Sequence, residues 1–203
     1  GRKSTLILVG VLFLVSALGS AMAPDAYSFA LLRFIGGVGV GISSIVVPAY
    51  ISEIAPAKYR GRLVALYQFQ IVFGILVAFV SNFLIAGTSA IDWRLMLGVE
   101  AIPALAYLLM IIKAPESPRW LVQKKREKTK ARSILVTLGE QNPDQVLNDI
   151  ERDKLQNSQS KLFGGSYNKA ALFAFLFAAF NQLSGINFII YYGLYGLLFY
   201  KLN

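Results

Sequence analysis

The 203-residue chain is 56% hydrophobic, with a mean hydropathy of +0.56 and a net charge of +9. It has no cysteine and no histidine, which excludes a disulfide framework, thiolate chemistry and the commonest general base and metal ligand. Its apolar residues fall in blocks instead of alternating, a pattern that excludes an ordinary soluble domain.

A bilayer span needs about 20 apolar residues to cross a hydrocarbon core about 30 Å thick. Five blocks meet that length: Leu6 to Ala23, Tyr27 to Ile51, Leu63 to Ala86, Leu95 to Ile112, and Ala170 to Tyr200. The expected fold is an all-α polytopic membrane protein. The first span is rich in Leu and Val, carries no strong polar group and reads as structural. After the turn at Pro24-Asp25, the second span crowds Gly36, Gly37, Gly39 and Gly41 into its middle. Gly37 and Gly41 have the spacing that lets two helix backbones approach closely, which favours packing over substrate contact. Arg33 lies about 10 Å inside the same span from its Tyr27 end. A charge at that depth faces a partner or an aqueous path, or else snorkels to the interface.

Pro48 loosens the far end of the second span, and Glu53 and Arg60 flank the turn around Pro56. They can meet there as a latch between helix ends, or stand as ordinary interface charges. In the third span Gln68, Ile71 and Ile75 share one helical face. An amide beside branched apolar surface suits a ligand with both hydroxyls and C–H faces. The fourth span opens on Asp92-Trp93-Arg94, typical interfacial anchors, and contains Glu100 and Pro103. An intramembrane acid is a functional candidate by default, or a structural partner for a helix this chain lacks.

Charge placement sets the topology. Arg2, Lys3, Lys58, Arg60, Arg62 and the stretch from Lys113 to Lys169 hold nearly every basic residue, while the turns at Pro24-Asp25 and Gly87 to Asp92 hold acids only. Threading five spans puts every basic cluster on one side, which the positive-inside rule makes the cytoplasm, with the Gly1 end inside and Tyr200 outside. Topology thus accounts for the basic excess better than nucleic-acid binding does. Gly1-Arg2-Lys3 reads as the tail of a cytoplasmic loop, and five spans with such ends are expected to be part of a longer polypeptide. Between Lys113 and Lys169 the chain turns soluble. Ser117-Pro118 and Asn142-Pro143 signal helix starts, Ile134, Leu135 and Leu138 an apolar stripe, and Gly139 a helix stop. Acids interleave with the bases in this stretch, so a solvated charged face is favoured over a nucleic-acid arm.

The last block holds the most informative feature. Asn181-Gln182-Leu183-Ser184-Gly185-Ile186-Asn187 sets three side-chain amides and a hydroxyl into an apolar run. Unpaired amides in hydrocarbon cost about 2–7 kcal/mol each, so the seam is expected to line a wet cavity. On an unbroken helix Gln182 and Asn187 diverge by about 140°. A break at Ser184-Gly185 brings them to one site, as in transporters that build midplane sites from discontinuous helices. Tyr191 and Tyr192 continue that lining.

These residues resemble those of the sugar porters of the major facilitator superfamily. The matching stretches are Gly1-Arg2-Lys3, Arg33-Phe34 with its glycines, Pro48-Ala49-Tyr50-Ile51-Ser52-Glu53-Ile54-Ala55-Pro56 with Arg60-Gly61, Asp92-Trp93-Arg94, Pro115-Glu116-Ser117-Pro118-Arg119-Trp120-Leu121, and the seam. The resemblance implies a partial major-facilitator fold, with five transmembrane helices corresponding to the third through seventh of twelve. Residues 1–112 would hold four helices of the N-terminal half, 113–168 a cytoplasmic helical insert and 169–203 the first helix of the C-terminal half. It implies that Gln68, Gln182 and Asn187 hydrogen-bond a monosaccharide, that Ile71 and Ile75 meet its apolar face, and that Tyr191 lines the site. Asn181 stands where the family usually has a second glutamine, a shorter amide with the same chemistry. Glu53, Arg60, Glu116 and Arg119 would form a cytoplasmic charge network, and Arg33 would partner an acid on the absent first helix in proton-coupled members.

The expected function is transport of a monosaccharide by alternating access, secondary-active or facilitative, at the plasma membrane, or the inner membrane of a bacterium. The partners expected are the sugar, membrane lipid and the missing helices of the same polypeptide, with no nucleic acid. No cofactor is expected beyond a co-transported proton. A non-transporting sugar sensor would use the same cavity. A membrane enzyme is disfavoured by the lack of His, Cys and a convergent acid pair.

Overall fold

A computed structural model of the chain describes residues 1–56, 58–87, 91–140, 142–157 and 168–184. Among them the regular structure is helical: α1 (Arg2–Met22), α2 (Ala26–Ile54), α3 (Arg60–Ile85), α4 (Asp92–Val99), α5 (Ala101–Lys113), α6 (Pro118–Trp120), which runs into one π-helical turn at Leu121–Lys125, α7 (Lys128–Thr137), α8 (Pro143–Asn157) and α9 (Asn168–Leu183). Two compact units result, Gly1–Lys154 and Leu155–Asn203. Four segments of the described residues are long and apolar enough to cross a membrane: α1, α2, α3, and α4 with α5 taken together. The fifth apolar block is described only as far as Ser184, through α9.

Local chemistry sets the helix ends. Asp25 caps α2 by accepting from the Tyr27 and Ser28 amides at 2.9 Å each. These bonds, the Ser28 amide's foremost, hold the Asp25 carboxyl below its ordinary range. α2 runs through Pro48 without a break; the proline only withholds the N–H that would reach the Ser44 carbonyl. Ser43, Ser44, Ser52 and Ser81 return their hydroxyls to carbonyls three residues back on their own helices, so none of them requires a partner from elsewhere. The sequence reads the fourth span as one helix, but it breaks at Glu100, between α4 and α5. The Glu100 amide reaches back to the Leu97 carbonyl at 3.2 Å. Three residues on, Pro103 has no N–H to offer the Val99 carbonyl.

α1 is the central element of the first unit, packed against α2, α4 and α5. On α2 the stripe facing it is Leu32, Gly36 and Gly39: Gly19 abuts Leu32, Gly36 abuts Ser16, and Gly39 abuts Phe13 and Leu12. Gly37 and Gly41 meet nothing within 4 Å. The close approach that the spacing assigns to Gly37 and Gly41 therefore belongs to Gly36 and Gly39, because the helical stripe through Leu32 fixes which face turns inward. Near the Gly1 end, Leu6, Tyr50 and Ile111 form a buried core joining α1, α2 and α5. α3 buries none of its residues in this unit; Leu66, Phe69, Val72 and Phe73 lie exposed along it.

Beyond α5, Ser117 and Pro118 start α6 as their sequence signals predict, with the Ser117 hydroxyl accepting from the Trp120 amide at 3.2 Å. Gly139 stops α7 in a left-handed conformation, φ +78, where a side chain would be strained. Leu121, Val122, Ala131, Leu135, Leu147 and Ile150 form a second core that joins α6, α7 and α8. The interleaved charges of this region pair with one another, Lys128 with Glu151 at 2.6 Å and Arg132 with Asp144 at 2.8 Å.

Candidate functional site

Arg33 and Glu100, read separately from the sequence, meet. The guanidinium donates to both carboxylate oxygens, at 2.9 and 3.3 Å, in the bidentate geometry that makes such pairs strong and directional. Helix architecture places them. Each stands about two turns from the Pro24 end of its span, and α2 and α4 run in the same direction from that end. The pair borders a cavity of about 500 Å³ that is also lined by Phe13, Ser16, Gly36 and Tyr107. The closeness of Gly36 to Ser16 keeps α1 near α2 beside this space, and the break at Glu100 places the carboxylate at the joint of α4 and α5. Equal depth in two spans of the same direction was the sequence signal for this pair.

A second cluster gathers at the Gly1 end. Glu53, with its side chain only 11% exposed, accepts from Arg2 through Nε at 3.2 Å and Nη2 at 3.1 Å. It also accepts from the buried Ser117 hydroxyl at 2.5 Å. Glu116 accepts from the Lys3 amide at 3.0 Å and from the Ser117 amide at 3.1 Å. The Tyr50 hydroxyl donates to the Pro115 carbonyl. The expected meeting of Glu53 with Arg60 is not found: Glu53 is held by Arg2 and Ser117, and Arg60 opens α3 with an exposed side chain, its amide bonded to the Pro56 carbonyl. The turn through Pro56 starts α3 away from the α1–α2 contact, whereas Arg2 lies on the neighbouring helix end. Arg119 lies on α6 at the edge of a pocket shared with Arg2, Glu53 and Lys124. Sequence reasoning missed Arg2 and Ser117 as partners of Glu53, because α1 was expected to begin only at Leu6.

The stripe expected to face a ligand lies on α3. Gln68 and Ile71 are exposed and Ile75 is half-buried, so within this unit that face is open. Asn181 and Gln182 fall in the last turn of α9; their side chains, and Asn187 and Tyr191 altogether, lie outside the described residues.

A family model described as "Sugar (and other) transporter" matches residues 1–197. The chain is 41% identical over 195 residues to the metabolite transport protein YwtG of Bacillus subtilis, covering 95% of this chain and 42% of that protein. It is 37% identical over 198 residues to the galactose-proton symporter of Escherichia coli, with 95% and 42% covered. Among solved structures it matches the xylose transporter XylE from E. coli, in a partially occluded inward-open conformation, with a TM-score of 0.81 and 32% identity, over 95% of this chain and 47% of that one. The chain thus spans less than half the length of these relatives, and its fold is part of a major facilitator fold. It belongs to the sugar transporter family, as a multi-pass membrane protein.

Proposed function

We propose that the polypeptide containing this chain carries a monosaccharide across the membrane by alternating access. One observation supports this above others: the chain matches the sugar transporter family from residue 1 to residue 197, without the match being confined to one motif. The polar groups on its apolar helices suit such a ligand. Amides both donate and accept, as sugar hydroxyls do, and Gln68 stands beside Ile71 and Ile75 on one open face of α3. In this reading Gln68, Asn181, Gln182 and Asn187 hydrogen-bond the sugar, Ile71 and Ile75 meet its C–H face, and Tyr191 completes the lining. Arg2, Glu53, Ser117 and Glu116 hold the Gly1 ends of α1, α2 and α6 together on the cytoplasmic side, with Arg60 and Arg119 at the same mouth.

Proton coupling belongs to the same proposal. The galactose relative is named a proton symporter, and here an acid and a base on apolar helices pair directly at the edge of a cavity. Loss of either charge of the pair would release the other, which ties the charge state of this contact to the packing of α2 against α4 and α5. The test is uptake of labelled xylose, galactose and glucose into cells expressing the full-length protein and its Gln182→Ala variant. The proposal predicts saturable uptake that falls sharply in the variant at equal membrane expression. Unchanged uptake kinetics in the variant would overturn the site assignment, and sugar binding without net movement would make the protein a sensor.

A further inference from the structure

Trp93 and Arg94 lie at the start of α4, about two turns from Glu100, and neither belongs to the sugar site or to the ion pair. Their contacts join three elements at the Pro24 end of the unit. The Arg94 guanidinium donates to the Ala21 carbonyl at 3.1 Å and to the Ala23 carbonyl at 2.9 Å. Both carbonyls belong to the C-terminal end of α1, where the last four carbonyls of a helix have no partner within it. The guanidinium carbon also stands 4.6 Å from the centre of the Trp93 ring, and that ring meets Phe29 of α2 edge-on at 6.3 Å. The Asp92 carboxylate, next to Trp93, accepts from the Gly87 amide.

The contacts form a ladder. On α2, Phe29 and Arg33 are one turn apart on one face; on α4, Trp93 and Glu100 are two turns apart on one face. The aromatic contact is the upper rung between the two helices and the ion pair the lower. α4 has eight residues and passes through the turn at Glu100 into α5, so its rotation and depth are set by its own contacts together with that junction. Arg94 fixes the depth by anchoring to the end of α1, and Trp93 fixes the rotation against Phe29.

From this we infer that Trp93 and Arg94 are positioning residues of the coupling pair: they hold α4 in the register that presents the Glu100 carboxylate to both donor nitrogens of Arg33. The inference rests on the coupling role proposed above for that pair, and the experiment separates the two. In the full-length protein, with any cysteines outside this chain removed, Arg33→Cys and Glu100→Cys are combined and treated with a bifunctional methanethiosulfonate of matching span, with and without Arg94→Gln. The cross-link reads register without any transport. It is expected to form at least fivefold more slowly when Arg94 is replaced, and an unchanged rate overturns the inference.

The second measurement uses the native pair. Arg94→Gln should move the pH midpoint of sugar uptake in the same direction as Arg33→Gln does, while sugar affinity stays within about twofold. Arg94→Lys should restore part of the shift, since lysine can reach one carbonyl but lacks the two-pronged fork. On a Glu100→Gln background Arg94→Gln should add no further loss. A midpoint that does not move, or a loss that adds fully on that background, refutes the positioning role. Should Arg94→Gln fail to reach the membrane, Trp93→Phe is read the same way, with a smaller slowing expected. Failure of the transport reading looks different: no uptake in the parent protein, with the cross-link still sensitive to Arg94.

Discussion

Replacing Ser117 with alanine removes two bonds from one buried oxygen. The hydroxyl donates to Glu53 and accepts from the Trp120 amide at the start of α6. Loss of a helix N-cap costs about 1 kcal/mol, and loss of a hydrogen bond to a carboxylate costs about 1.5–3 kcal/mol. Glu53 is 11% exposed, so water replaces little of what it loses, whereas Arg2 is 44% exposed and its ion pair is partly screened. The Ser117→Ala variant is therefore expected to lose roughly 2–4 kcal/mol. Glu53→Gln keeps an acceptor near Ser117 but removes the charge that makes the bond strong. Equilibrium unfolding of the full-length protein in detergent, for the parent, both single variants and the double variant, isolates the shared bond. The cycle should give a coupling of about 1–2 kcal/mol. A coupling below about 0.5 kcal/mol, the usual error of additivity, would refute the claim that this bond ties α6 to α2.

Gly36→Ala puts a methyl group against Ser16 and should cost about 1–3 kcal/mol by overpacking the α1–α2 contact, read in the same unfolding assay. Asp25→Ala removes the cap of α2, and hydrogen exchange at the Tyr27 and Ser28 amides should accelerate. The Arg132 guanidinium holds the Asp144 carboxyl below its ordinary range, through their hydrogen bond first. A depressed carboxylate stabilises the fold above its unfolded pKa, about 3.9 for aspartate, and loses that contribution as pH falls through the folded value. Hydrogen exchange in α8 should therefore be insensitive to Asp144→Asn at the acid end of the titration and faster in the variant at neutral pH.

The first four spans, the helix starts at Ser117 and Pro143 and the stop at Gly139 were legible because hydropathy and capping are local. Contacts between spans were less so. Arg33 and Glu100 were each recognisable as costly intramembrane charges, but their meeting depends on which helices are neighbours, and hydropathy does not carry that. The same gap explains the misassigned glycines: spacing marked a thin face on α2, whereas the side that α1 covers follows from the stripe through Leu32, Gly36 and Gly39. It also explains Glu53, which pairs with Arg2 of α1 and not with Arg60 across the Pro56 turn. The break in the fourth span was hinted at by Pro103, but its effect appears only three residues upstream, at Glu100. In the polar seam, the side chains of Asn181 and Gln182 and all residues from Gly185 onward lie outside the described residues.

Sugar counterflow in proteoliposomes holding the purified full-length protein tests the central claim most directly. Vesicles loaded with an unlabelled monosaccharide and diluted into a trace of the labelled one need no proton gradient, so the measurement isolates the carrier cycle. The account predicts transient accumulation of label for at least one of xylose, galactose or glucose, abolished by Gln68→Ala and by Gln182→Ala. Absence of counterflow for all three sugars from folded, correctly inserted protein, or counterflow untouched by both substitutions, would contradict it.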